Sequence, residues 1–187
     1  MSRIGTARLA ICRNTLFQRA HEELTSLDYY LVMDVDVSCS PSFNLTHFLS
    51  NLIYPSTSWI AMTASQHGEY YDIWALRIKP VLTYDCWRVV GQLNNIFVDY
   101  DVLLRRIIGI HKKSMPESLP LIEVQSAFGG ATLYNGKYLE KKCSYQGTVG
   151  DRWWNQYEIC EHVPFHLCLQ EYAKEQKIYI NPQFLIY

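Results

Sequence analysis

The sequence predicts one α/β domain, and three observations carry that reading. Short apolar runs with the length and composition of buried strands alternate with stretches whose apolar residues recur at helical spacing. No internal repeat, low-complexity tract or linker divides the 187 residues. A chain of this length buries roughly 70% of its unfolded surface, so it needs neither a disulfide framework nor a structural metal to fold.

The elements follow in order. Residues 3–24 place Ile4, Ala7, Leu9, Ile11, Leu16, Phe17, Ala20 and Leu24 at helical spacing, which predicts one long amphipathic helix. Tyr29–Met33 is a continuous apolar run of the kind expected for a central strand buried on both faces, and it ends abruptly in charge at Asp34-Val35-Asp36. After a polar loop around Pro41, residues 43–53 predict a helix with Phe48, Leu49, Leu52 and Ile53 inward. Residues 59–63 predict a second buried strand and, beyond a turn at 66–68, residues 70–77 a third. Residues 87–111 carry a helical pattern interrupted near Asn94 and Asn95, with Phe97, Leu103, Leu104, Ile107 and Ile108 inward. Residues 121–124 and 131–134 read as strands flanking Phe128-Gly129-Gly130. Pro164 belongs in the first turn of a helix running to about Ala173, and residues 178–180 form a last short strand.

Charge and cysteine usage narrow the function classes. Seventeen Lys and Arg against eighteen Asp and Glu leave a net charge of −1, without the basic footprint of general nucleic-acid binding. With no apolar run near 18 residues and no leader-like N-terminus, the chain is expected to be cytoplasmic, neither secreted nor membrane-spanning. The six cysteines, at 12, 39, 86, 143, 160 and 168, form no C-x-x-C pair. Neither a zinc ribbon nor a disulfide scaffold is expected, and a reducing compartment follows. Fourteen Tyr and five Trp suit both cores and carbohydrate-lined clefts.

Asp34 and Asp36 stand two apart at the end of an extended run, so both carboxylates project to one side. Like charges so placed repel unless a cation sits near them, and hard oxygen ligands suit Mg²⁺ or Mn²⁺. Such pairs also occur in solvated turns; the apolar strand before this one favours a metal site.

These residues resemble a family. The stretch 29–37, Tyr-Tyr-Leu-Val-Met-Asp-Val-Asp-Val, is similar to the hydrophobic strand and D-x-D motif of GT-A glycosyltransferases. Residues 8–14, Arg-Leu-Ala-Ile-Cys-Arg-Asn, resemble the R-L-A-x-x-R-N helix of small virus-encoded glycosyltransferases of the chlorella-virus type and of fungal capsule-associated mannosyltransferase-like proteins. Residues 71–77 resemble their Y-D-x-W-A-x-R segment, residues 128–134 their F-G-G-x-x-x-Y turn, and residues 160–163 their C-E-H-V segment. The likeness spans about residues 3–170.

The resemblance implies sugar transfer from a nucleotide-sugar donor to a glycan or protein-linked acceptor, with Mn²⁺ or Mg²⁺ as cofactor. It implies Asp36 as a direct metal ligand, Asp34 meeting the ribose or the metal, and His162 completing the coordination. His162 equally suits a hydrogen-bonded histidine at a helix start. Zinc between His162 and His166 is disfavoured, because a helix beginning at Pro164 leaves His162 in the preceding loop. Glu161 is the candidate general base, or a helix-start carboxylate favoured by the macrodipole; Asp72 is the second catalytic candidate, with Glu69 near it. Arg8, Arg13 and Asn14 are nucleotide contacts by analogy, or the solvated face of a helix. Arg77 pairs with diphosphate or with an acidic neighbour. Gly129, Gly130 and Trp154 belong to the acceptor side, or to a tight turn and a core rim.

In the family a longer β-α-β portion precedes the D-x-D strand, whereas this chain reaches Asp34 after 33 residues. The expectation is a partial GT-A domain with an exposed sheet edge or apolar face, completed by oligomerisation or another subunit. A non-catalytic sugar-binding or interaction module and a metal-dependent phosphohydrolase are the competing classes.

Overall fold

The computed structural model describes residues 5–23, 26–34, 44–94, 98–150 and 157–186. Helix α1 (Gly5–Glu23) buries Thr6, Ala10, Arg13 and Phe17, at spacings of four, three and four that put them on one stripe. Its buried face is centred on an arginine, while Leu9, Ile11 and Leu16 stay exposed. Of the residues that the apolar periodicity marked, Phe17 lies on this buried face.

Among the described residues five strands form one mixed sheet. In spatial order they are β1 (Tyr29–Met33), β4 (Ala131–Asn135), β2 (Trp59–Ser65), β7 (Lys177–Leu185) and β3 (Ile122–Val124); a separate antiparallel pair is formed by β5 (Thr148–Val149) and β6 (Tyr157–Glu158). All seven residues of β2 are buried, the signature of a strand covered on both faces. β4 runs antiparallel to β1 and β2, and β7 runs parallel to β2. The carboxyl ends of β1, β2 and β7 and the start of β4 therefore share one end of the sheet. Ligands of open α/β sheets bind at such an end.

β1 corrects an expectation: among the described residues it is an edge strand, with Tyr29 and Leu31 exposed. A groove of about 620 Å³, lined by Leu9, Cys12, Leu16, Tyr30 and Val32 among others, runs between it and α1 and reaches Arg13 and Asp34.

The helices follow the predicted segments with adjusted bounds. α2 (Leu45–Leu49) continues as a 3-10 turn (Ser50–Ile53). It packs Phe48 inward against Phe184, as predicted, and buries Asn51, but leaves Leu49, Leu52 and Ile53 exposed, against the prediction. Asn51 Oδ1 accepts from the buried Asn181 amide at 2.7 Å, so a polar pair fixes this helix to β7. α3 (Cys86–Leu93) starts at Asp85, whose carboxylate accepts from Arg88 N–H. α4 (Tyr100–Leu103) winds on through a π-turn (Leu104–Ile108) and a 3-10 turn (Gly109–His111), burying Leu103 and Ile108 as predicted; Phe97 lies outside the described residues. α5 (His162–Tyr172) holds Pro164 in its first turn, where a missing N–H costs nothing. The strand predicted over residues 70–77 is instead a loop, pinned by Arg77 N–H to Ser126 O at 2.7 Å. Isolated bridges replace a ladder there, because Asp72 and Arg77 turn inward to bind backbone.

The main core packs Phe17 of α1 edge-on against Phe165 of α5 (5.4 Å between ring centres), and Tyr145 stacks on Phe165 at 4.1 Å. The cysteine reading is corrected: Cys143 and Cys168 form a disulfide that ties the segment after β4 to α5. Such bonds persist in oxidising surroundings, so the argument for a reducing compartment loses its basis. Among the described residues no helix is long and apolar enough to cross a membrane.

Candidate functional site

The site is built around Arg13. Projecting from the middle of α1 toward the carboxyl end of β1, it donates through Nη2 to Asp34 Oδ1 at 2.7 Å. Its Nη1 reaches both Glu161 Oε1 and His162 Nε2, at the start of α5. The guanidinium also lies 4.8 Å from the centre of the Phe128 ring and 5.9 Å from that of Tyr145, aromatic faces that favour a cation. Burial opposes the charge on Arg13, but Glu161 and Asp34 more than offset it and its pKa is raised. The side chain is a permanent cation.

The Phe128-Gly129-Gly130 turn closes the other side. Gly130 C=O accepts from Asp34 N–H at 2.9 Å, extending the β1–β4 ladder by one pair. Gly129 has φ +63°, and a Cβ there would lie 2.3 Å from the Ala64 carbonyl oxygen at the end of β2, so glycine is required on two counts. Asp72 holds the turn: its Oδ2 accepts from Gly129 N–H at 3.1 Å and its Oδ1 from Ala75 N–H at 3.2 Å. Burial raises the Asp72 carboxyl, those two N–H groups pull it back, and the Asp34 charge raises it again.

His162 stacks on Phe128 with ring centres 3.9 Å apart. A guanidinium offers only donors, so Nε2 is the accepting nitrogen and the ring proton sits on Nδ1, facing Tyr134 Oη at 3.5 Å. Tyr134 is the hub of a buried network, accepting from Tyr145 Oη at 3.4 Å. Its own proton then goes to His166 Nε2 at 2.7 Å, and His166 Nδ1–H donates to Ser126 Oγ at 3.0 Å. Burial, reinforced by the Arg13 charge, pushes His166 down to about 3 and His162 well below its ordinary value, so both rings are neutral. Burial likewise raises Glu161, outweighing the pull of Arg13.

Seven expected residues meet here: Arg13, Asp34, Asp72, Gly129, Gly130, Glu161 and His162. The pair Arg13 and Glu161 is 148 positions apart in the chain. Others stand apart or serve the fold. Asn14 bonds the Tyr145 backbone through both amide atoms, at 2.9 and 2.8 Å. Arg77 donates to the carbonyls of Trp74 and Leu76 and approaches Asp85 at 3.7 Å, the acidic-neighbour alternative rather than the diphosphate one. Arg8 is exposed on α1. Asp36 and Trp154, with Trp153, lie outside the described residues. His162 is the first residue of α5 and not in a preceding loop, so it shares a helical face with His166. Zinc between them is opposed by a different fact: both His166 nitrogens already have partners.

Sequence reading missed Ser126, Tyr145 and the hub role of Tyr134. The only available signal was the tyrosine ending the F-G-G-x-x-x-Y turn. As a donor set, two carboxylates and an imidazole nitrogen suit Mn²⁺ or Mg²⁺. Among the described residues no group of three or more His, Cys, Asp and Glu side chains is arranged to hold a metal ion, and the point on which Asp34, Glu161 and His162 converge is filled by the Arg13 guanidinium. The sequence matches no protein-family model and none of the curated proteins compared with it.

Proposed function

We propose that this chain is a metal-dependent glycosyltransferase domain of GT-A type, moving a sugar from a nucleotide-sugar donor to a glycan or protein-linked acceptor. The observation that carries the reading is the convergence of Arg13, Asp34, Gly129-Gly130, Glu161 and His162, drawn from three motifs and a helix, at the carboxyl end of β1. Asp34, Asp36 and His162 would hold Mn²⁺ or Mg²⁺, which when bound neutralises charge on a leaving nucleoside diphosphate. Burial raises both candidate acid–base carboxylates, and Glu161 is preferred because both oxygens of Asp72 are engaged by backbone N–H groups. The backbone of Gly129 and Gly130 forms the wall on which the acceptor rests.

Calorimetric titration with UDP and GDP, in Mn²⁺ and again in EDTA, tests the reading. Metal-dependent binding lost in an Asp34→Ala/Asp36→Ala double variant is expected; no binding by the folded protein would sink it. A non-catalytic binding module is the second reading, favoured by the fact that Arg13 already satisfies Asp34, Glu161 and His162. It predicts sugar binding that EDTA leaves unchanged. A second subunit along the β1 edge belongs to the same proposal, and the molecular mass in solution tests it.

A further inference from the structure

We propose that the Arg13 guanidinium is the resident counter-cation of the site, and that a divalent cation takes Asp34 and His162 only by displacing it. The inference rests on the reading of Asp34 and His162 as metal ligands. An imidazole nitrogen has one lone pair, and that of His162 Nε2 is engaged by Arg13 Nη1. The same guanidinium holds Asp34 Oδ1 at 2.7 Å and Glu161 Oε1. One cation therefore engages one oxygen of each carboxylate and the single lone pair that His162 Nε2 could offer a metal. A second positive charge placed among them would sit against a buried guanidinium that cannot lose its proton, and the two repel.

The seat of Arg13 is built, not incidental. Arg13 is only 8% exposed on a helix face otherwise buried through Thr6, Ala10 and Phe17, and its guanidinium lies against Phe128 and Tyr145. Its partners are held as well. The hydrogen-bonded chain from Ser126 through His166 and Tyr134 keeps the His162 proton on Nδ1, and Gly130 ties down the Asp34 backbone. Arg13 is the long flexible member of the group, so it is the one that moves.

Two consequences follow. Metal alone binds weakly, because it must expel a cation from a satisfied site. The displaced fork matches a diphosphate in shape and charge, so diphosphate and metal strengthen each other's binding by the same factor. Arg13 makes the metal site conditional on the anionic ligand.

The test is Mn²⁺ titration of the wild type, Arg13→Gln and Arg13→Lys, following free Mn²⁺ by electron paramagnetic resonance. Beside it, the Arg13 Nε–H signal of the ¹⁵N-labelled wild type is followed during Mg²⁺ titration. Arg13→Gln is expected to bind Mn²⁺ about tenfold more tightly or better, the cost of breaking one to two charge-assisted bonds. Arg13→Lys, with a charge but no fork, is expected in between, and Mg²⁺ is expected to shift the wild-type Arg13 signal. Equal Mn²⁺ affinities in all three proteins, or a Mg²⁺-saturated wild type whose Arg13 signal has not moved, overturn the proposal and leave the metal site standing. Absence of Mn²⁺ binding in every folded protein overturns the proposal and the metal reading together. Should Arg13→Gln not fold, the wild-type spectrum and Arg13→Lys decide.

Discussion

Acidification is expected to destabilise this protein through His166. The ring is fully buried between Ser126 and Tyr134, and burial together with Arg13 pushes its pKa from an ordinary 6.5 to about 3. In the unfolded chain the same ring titrates near its ordinary value. Between those two pKa values the unfolded state carries a proton that the native state lacks. Stability is therefore fully present above about pH 6.5 and falls as the pH drops toward 3. At 1.36 kcal/mol per unit, the loss attributable to His166 between about pH 7.5 and pH 5 is about 2 kcal/mol. His162, depressed for the same reasons, adds in the same direction, whereas Asp72 and Glu161, whose carboxyls are raised, gain stability on acidification and oppose it. The comparison that isolates His166 is urea unfolding of the wild type and His166→Gln across that range, with m-values compared to establish that both unfold from equally compact states. The variant is expected to be less stable at neutral pH and to lose about 2 kcal/mol less on acidification. Parallel loss in the two proteins would refute the claim that His166 is held neutral.

Tyr134→Phe removes the donor to His166 Nε2 and the group facing His162 Nδ1, leaving buried ring nitrogens unpaired, at an expected cost of about 1–3 kcal/mol in urea unfolding. Reduction of the Cys143–Cys168 bond frees a loop of sequence separation 25, which the chain-entropy relation values at about 3.5 kcal/mol. A drop of that order in stability on adding dithiothreitol is expected, with no change in a Cys143→Ala/Cys168→Ala variant. Gly129→Ala sets a Cβ 2.3 Å from the Ala64 carbonyl oxygen at positive φ, and the expected penalty is about 1–3 kcal/mol, read from the midpoint of denaturation. An unchanged midpoint would mean that the turn does not hold this conformation.

Much of the architecture was legible in local sequence. Residues 59–63 gave a buried central strand because an unbroken apolar run has nowhere else to go. Pro164 marked the first turn of α5, since that position needs no N–H donor. Of the three motifs that meet at the site, the D-x-D pair stood out as charge at the end of an apolar run, while the F-G-G and C-E-H-V segments were marked by the family resemblance. What misled was periodicity without a partner. Leu9, Ile11 and Leu16 on α1 and Leu49, Leu52 and Ile53 after β1 are apolar yet exposed, and the faces that pack inward carry Arg13 and Asn51.

The sequence by itself determined the α/β class, the approximate place of most helices and strands, and which carboxylates, glycines and histidine were chemically notable. Tertiary structure alone decided that β1 is an edge strand, that Cys143 meets Cys168, and that Asp72 and Arg77 bind backbone. It also decided that Asp34, Glu161 and His162 share one arginine. The physical reason is range. Strand and turn preferences are set by neighbouring residues, whereas a buried charge is tolerable only beside partners brought from far along the chain, and here they lie 21 and 148 positions from Arg13.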